Sequence, residues 1–291
     1  MRKTNIFCFG FGQVAKNFIY KLKENKINFY LSSTTREKTD EKKLKDIHYK
    51  NFNFSENDYD KTLIKDLEKA DYILISIPPV GGKDIVLESL AKIFQKYKSK
   101  KITYLSATSV YGNHNGEWVN EKSETKPNSK NGIERLNAEN SWMEMHKKYN
   151  LSVQILRLSG IYSNQFSILH RLRSGEAKII KKENHFFSRI HTEDIANVLC
   201  KSLNNFSGGE IYNISDDKPA SSEEVLLYGV KLLGIEKPKT VELTNLKNEM
   251  LKNFYKDSKK VSNKKMKDFF NLKLKYPTYI EGLDYIFDNY F

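Results

Sequence analysis

The chain has 291 residues, enough for one large α/β domain or for a nucleotide-binding domain with a smaller partner. At 39% hydrophobic and 12% aromatic, with 14 Gly and 6 Pro, it is neither disordered nor collagen-like. The formal charge of +13 suggests nucleic acid, but 42 lysines carry it against seven arginines. Acids alternate with those lysines over Glu37 to Lys45 and Lys256 to Lys267, the pattern of a solvated surface. Nucleic-acid binding through the lysine-rich stretch Lys252 to Lys275 is kept as a minor alternative, with steep salt dependence as its signature.

Two cysteines, Cys8 and Cys200, are too few for a disulfide framework or a structural zinc site. His and Cys residues show no metal-ligand spacing, so no metal is expected. Arg2 and Lys3 precede an apolar run that ends at Gly10, too short for a signal-peptide core. No uncharged apolar stretch nears the roughly 20 residues that cross a bilayer. A soluble protein of the reducing cytoplasm is expected.

In chain order, strand-like runs at Asn5–Phe9, Phe29–Leu31, Tyr72–Ile77, Ile102–Leu105 and Val153–Leu158 alternate with helical patterns at Val14–Leu22, Leu63–Lys69, Ile85–Tyr97 and Glu134–Lys148. Such alternation predicts an α/β fold, a doubly wound parallel sheet of Rossmann type, with a smaller C-terminal α+β lobe. The expected boundaries are 1–161 for the dinucleotide-binding part, with 192–214 returning to it, and 162–191 plus 215–291 for the substrate lobe.

The first chemical motif is Gly10-Phe11-Gly12-Gln13-Val14-Ala15, between a buried strand and a helix. Gly10 permits the tight turn, Gly12 lets the backbone approach a pyrophosphate, and Ala15 lets helix pack on strand, with the phosphates at the positive helix end. An NAD site usually carries an acid at the end of the second strand. Here the stretch is Ser32-Ser33-Thr34-Thr35-Arg36, and hydroxyls followed by a guanidinium suit a 2′-phosphate. NADP is favoured, with Glu37 keeping NAD possible. The turn Ile77-Pro78-Pro79 should line the same groove.

Ser106-Ala107-Thr108-Ser109-Val110-Tyr111-Gly112, then Ser129-Lys130-Asn131-Gly132-Ile133-Glu134-Arg135, resembles the extended short-chain dehydrogenase/reductases, the NAD(P)-dependent epimerase/dehydratase-like proteins. The resemblance continues through Leu156–Tyr162, Ser188–Ala196 and Tyr212–Asp217. It implies cofactor contacts at Gly10, Gly12, Gln13, Val14, Thr35, Arg36, Ile77, Pro78, Pro79, Ser106, Arg135, Leu158, Gly160 and Ile161. The family's catalytic tyrosine falls at Asn131 and its lysine at Arg135, as in the atypical branch that lacks the tyrosine. An amide does not titrate near neutral pH, so a substitute acid is needed. Tyr111 is the candidate, with Thr108 as a hydroxyl and Arg135 in the lysine's place.

Trp118, Tyr162, Arg171 and Arg189 are candidate substrate residues, the arginines pointing to an anionic carbonyl or hydroxyl compound. His191 reads as a structural helix-entry residue, before a helix capped by Thr192. The main expectation is an NADP-dependent oxidoreductase or epimerase-like enzyme. The alternative is an NADP-binding sensor or scaffold without turnover. The resemblance implies a possible homodimer through the helix Glu134–Lys148, where Trp142, Met143 and Met145 would supply apolar contact; core packing within one chain explains them equally well.

Overall fold

The computed structural model describes residues 3–56, 58–245, 252 and 255–291. Arg2 and residues 253–254 of the lysine-rich stretch therefore lie outside the described residues. The chain divides into two compact units, one of residues 1–107, 133–157 and 195–212, the other of 108–132, 158–194 and 213–291. The sequence reading counted 108–132 with the dinucleotide-binding part, whereas here that segment groups with the second unit.

An eight-stranded sheet holds β1 (Thr4–Phe9), β2 (Phe29–Thr35), β3 (Asp40–Leu44), β4 (Ile47–Asn53), β5 (Tyr72–Ile75), β6 (Lys101–Ala107), β8 (Ser152–Leu158) and β12 (Ile211–Ile214), in the order β12-β8-β6-β5-β1-β2-β4-β3. The short β7 is Trp118–Val119. Strand β1 pairs in parallel with β2 and β5, and β5 with β6. This is the doubly wound Rossmann-type arrangement that the alternating pattern predicts.

The hairpin of β3 and β4 was not foreseen. Strand β3 reads Asp-Glu-Lys-Lys-Leu, pairs antiparallel with β4 and has no buried residue. A charged edge strand protects a sheet from pairing with other chains. Its charges made it look like a solvated helix or loop, because an edge strand with both faces wet carries no alternating apolar signal.

Helix α1 (Gln13–Glu24) buries Ala15, Phe18, Ile19 and Leu22, the spacing of a single helical face. Helix α2 is Leu63–Lys69. Helix α3 (Ile85–Phe94) is capped by Asp84, whose Oδ1 accepts the N–H groups of Val86 and Leu87 at 3.0 and 2.9 Å. Helix α4 (Lys130–Tyr149) begins four residues before the apolar pattern does.

The core of the first unit gathers Phe7, Phe9, Phe52, Phe54, Phe94 and Trp142. Trp142 is fully buried, meets Phe94 edge-on at 5.3 Å and donates from Nε1 to Asp84 Oδ2 at 2.9 Å. Met145 is buried in the same core. Trp142 and Met145 thus take the core-packing role considered for this helix, and the half-buried Met143 packs against that core. Glu139 and Arg157 form a buried bidentate pair, with Arg157 Nη2 to Glu139 Oε2 at 2.7 Å.

The second unit contains β9 (Gly160–Tyr162), α5 (Ile168–Arg173), β10 (Ile179–Ile180), β11 (Arg189–His191), most of the first turn of α6 (Thr192–Ser202), α7 (Ser222–Leu233), β13 (Thr240–Val241), β14 (Lys260–Val261), α8 (Lys264–Phe270) and α9 (Tyr279–Tyr290). One of its cores joins Tyr162, Leu169, Val225, Tyr279, Leu283 and Ile286. Helix α7 is capped by the Ser221 hydroxyl and ends on Gly234 at φ +63°, while α9 opens with a capping box of Thr278 and Glu281. These start and stop signals are local; of the helices they bound, α7 lines the cavity described below.

Candidate cofactor and substrate sites

Strand β1 ends at Gly10 in a left-handed turn with φ +83°. A Cβ there would lie 2.8 Å from Ser76 Oγ and 3.0 Å from Ile77 Cγ1, so a side chain is excluded both by conformation and by space. Gly10 N–H donates to Thr34 Oγ1 at 3.0 Å, and Ser76 Oγ donates to the carbonyls of Phe9 and Gly10 at 3.0 and 3.1 Å. The ends of β1, β2 and β5 are thereby tied around one glycine, which brings the expected Ile77 turn to the glycine turn.

Gly12 is exposed, stands at the N-cap of α1 and makes no side-chain cap. A Cβ on it would meet nothing within 4 Å. No side chain caps the start of α1 and its first turn holds no acid, an arrangement that suits a pyrophosphate. Gln13 and Val14 are half-buried in this turn, while Ala15 is buried where helix meets strand.

At the end of β2, Thr35 Oγ1 accepts from Glu37 N and from Asn51 Nδ2. Asn53 Nδ2 donates to the carbonyls of Arg36 and Glu37, fixing the loop. Arg36 is exposed, and its guanidinium forms no ion pair among the described residues. The Glu37 carboxylate is held by Lys42, which keeps it below the usual carboxylate range. Glu37 is thus engaged, and Arg36 is left without an ion pair among the described residues.

At the end of β6, Ser106 is buried and its hydroxyl has no hydrogen-bond partner among the described residues. Arg135 Nη1 donates to the Leu105 carbonyl at 2.6 Å, so part of its fork is spent on the strand. Asn131, at the family's tyrosine position, is exposed.

In the second unit, Thr108 and Tyr111 belong to a short 3₁₀ turn. Tyr111 is fully buried and donates from its phenol to Asn213 Oδ1 at 2.8 Å; the Asn213 amide donates onward to the Ser262 carbonyl. A substrate would have to displace Asn213 to receive this proton, so the geometry is that of a packing residue. Gly112 follows at φ +66°, where a Cβ would strike the Lys126 carbonyl at 2.0 Å. The Asn115-Gly116 pair takes φ +51° and +81°, as its turn signal predicts. Trp118 beyond it is 56% exposed.

A cavity of about 330 Å3 lies wholly within the second unit. Three of the four candidate substrate residues, Tyr162, Arg171 and Arg189, line it; Trp118 does not. Gly160 and Ile161, expected at the cofactor, also form its wall, and Leu158 is buried just before them. Tyr162 donates to the Thr278 carbonyl at 3.4 Å, and burial raises its phenol well above its ordinary range. Arg171 and Arg173 part company, because residues two apart on a helix do not share a face: Arg173 lies 5.4 Å over the Phe291 ring.

Behind the cavity, Arg189 Nη1 donates to the carbonyls of Phe187 and Ala220 at 2.9 and 3.0 Å. Burial pushes the Asp216 carboxyl up to about 8, with the Arg189 charge offsetting only part of that rise. His191 is pushed down to about 4 by burial, and its Nδ1 accepts Glu193 N–H at 3.2 Å. His191 therefore caps α6, a role the sequence reading gave to Thr192, which is instead the first helical residue. The acids Glu193 and Asp194 are spent on Lys275 and Tyr276. Among the described residues, no group of three or more His, Cys, Asp or Glu is arranged to hold a metal, and no helix is long and apolar enough to cross a membrane.

Residues 80–215 match the NAD dependent epimerase/dehydratase family, which bears out the resemblance read from the motifs. The glycine turn lies outside that match. Among solved structures, a functionally unknown conserved protein from Silicibacter pomeroyi is 29% identical over 98% of both chains, with a TM-score of 0.85. A dTDP-glucose 4,6-dehydratase from Bacillus anthracis in complex with NAD is 18% identical over 98% of this chain and 96% of that one, with a TM-score of 0.77. A UDP-glucuronic acid 4-epimerase from Bacillus cereus in complex with NAD is 17% identical over the same shares, also at 0.77. The last two likenesses show the shared fold. No curated protein matches the chain.

Two outcomes follow from the burial of Tyr111 and Asp216. Tyr111→Phe leaves Asn213 Oδ1 without its donor and is expected to cost about 1–3 kcal/mol of stability, read by urea unfolding. For Asp216, the folded value near 8 exceeds the ordinary value near 4. The folded state therefore binds the extra proton between the two, and stability is lost as pH rises toward 8. Melting temperature should fall from pH 6.5 to 8.5, and Asp216→Asn should flatten that fall. His191, at about 4 in the folded state against about 6.5 unfolded, adds only a small opposing rise at the low-pH edge of this window.

Proposed function

We propose, from the match of residues 80–215 to the NAD dependent epimerase/dehydratase family, that the chain is an NADP-binding oxidoreductase or epimerase-like enzyme acting on a small carbonyl or hydroxyl compound. The observation that carries the cofactor half is the open cradle over Gly12 at an uncapped helix start. The cradle suits a dinucleotide because its donors are backbone N–H groups that need no side chain to reach the phosphates. NADP is preferred because Arg36 stands unpaired at the end of β2 while Lys42 occupies the neighbouring acid. A guanidinium fork matches the geometry and charge of a 2′-phosphate.

When bound, such a cofactor supplies a hydride to a carbonyl carbon or accepts one from a hydroxyl-bearing carbon. The chain's own contribution differs from the ordinary pattern of the family. Asn131 cannot donate a proton as a phenol does. Arg135 keeps a permanent charge, but its Leu105 contact limits it to orienting a cofactor. Thr108, like Ser106, makes no side-chain hydrogen bond among the described residues, which suits it to orient a carbonyl oxygen. The family's substitute acid is not Tyr111 while that phenol serves Asn213.

A second reading has its own support. Loss of both the tyrosine and the lysine, with Arg135 committed to the strand, suits a protein that binds NADP and reports on it without turnover.

Fluorescence titration with NADPH and NADH separates the cofactors. NADPH should bind at least ten-fold tighter than NADH, and Arg36→Ala should remove most of that difference while leaving NADH affinity unchanged. Equal affinities in the wild type would refute the role of Arg36. Oxidation of bound NADPH across a panel of phosphorylated and carboxylated carbonyl compounds then separates enzyme from sensor.

A further inference from the structure

The cavity of the second unit carries a charge pattern that no internal contact explains. Arg171 on α5 and Lys178 before β10 both line it, both are exposed, and neither pairs with a carboxylate among the described residues. Leaving two cations unpaired beside one cavity costs mutual repulsion that an anion would relieve. The third cation, Arg189, is already occupied with the Phe187 and Ala220 carbonyls and stacks at 5.0 Å on the Phe187 ring, so it builds the wall. One lining acid, Glu223, opposes the pair.

Away from the cations the lining is apolar. Ile180, Val225 and Leu226 are buried, and Ile168 and Phe187 are half-buried. A ligand that satisfies both halves has an anionic head for Arg171 and Lys178 and an apolar body for the isoleucine, valine and leucine side chains.

Size narrows the class further. About 330 Å3 lies at the low end of small-molecule sites, which run from roughly 300 to 1,000 Å3. A nucleoside diphosphate sugar is larger than this space.

We infer that this cavity binds a small amphiphilic anion, a carboxylate or phosphate monoester on an apolar body, with Arg171 and Lys178 as the head-group ligands, and not a nucleoside diphosphate sugar. The inference rests on the second unit as a substrate-binding lobe and needs no bound dinucleotide, so it can fail or stand separately from the cofactor assignment.

Isothermal titration of the full chain without cofactor tests it with five probes: 3-phenylpropanoate, phenyl phosphate, the neutral 3-phenylpropanamide, inorganic phosphate and UDP-glucose. At least one phenyl anion should bind saturably, and the tighter of the two identifies the head group. The amide, inorganic phosphate and UDP-glucose should each bind at least ten-fold more weakly than that anion. The double variant Arg171→Gln/Lys178→Gln should weaken the anion at least ten-fold, and each single variant by a smaller factor. Both side chains are exposed, so the variants should keep the wild-type melting temperature, and the single variants give the same comparison if the double one does not. The proposal is overturned by an amide that binds as well as the acid, by inorganic phosphate matching phenyl phosphate, by UDP-glucose binding as tightly and losing affinity in the same variants, or by no saturable binding of either phenyl anion.

Discussion

The first unit depends on the closure around Gly10. At that point β1 must leave the sheet, and its neighbours β2 and β5 reach in with Thr34 Oγ1 and Ser76 Oγ to satisfy the turning backbone. A side chain at Gly10 would collide with Ser76 and Ile77, so the turn exists only because the residue is glycine. The three strand ends then stand together, and α1 starts one step later with no side-chain cap and no acid in its first turn. The phosphate site proposed for this turn would rest on that backbone geometry.

The buried polar pairs in the first unit serve the same scaffold. Asp84 caps α3 and receives the Trp142 indole N–H, which locks α4 against α3 from inside the core. Glu139 and Arg157 lock α4 to β8 in the same way. Removing one partner of such a pair leaves a buried charge and costs several kcal/mol. Arg135, between Asn131 and Glu139 on the same helix, is drawn to the Leu105 carbonyl. Helix α4 is thus held to α3, β6 and β8 by buried or half-buried polar bonds.

The glycine turn, the main parallel strands and the motif series were legible because each is a local pattern, a strand period or a fixed glycine spacing. The β3 hairpin was not, since Asp40 to Leu44 has no buried side to announce it. Arginine roles were legible as residue types and not as partners: Arg171 and Arg173 look alike in sequence, yet one lines a cavity and the other covers Phe291. Tyr111 sits in a family motif, and only the fold shows that its proton goes to Asn213. Lys178 gave no signal among 42 lysines; its lack of a carboxylate partner beside Arg171 is a tertiary fact.

The most direct test of the account is NADPH titration of Gly12→Val. A Cβ at Gly12 meets nothing within 4 Å and the residue has φ −81°, so the variant should fold with a melting temperature close to the wild type. Its added methyl groups would fill the space assigned to the pyrophosphate, and NADPH affinity should fall at least ten-fold. A folded Gly12→Val protein that binds NADPH as tightly as the wild type would contradict the placement of the cofactor at this turn.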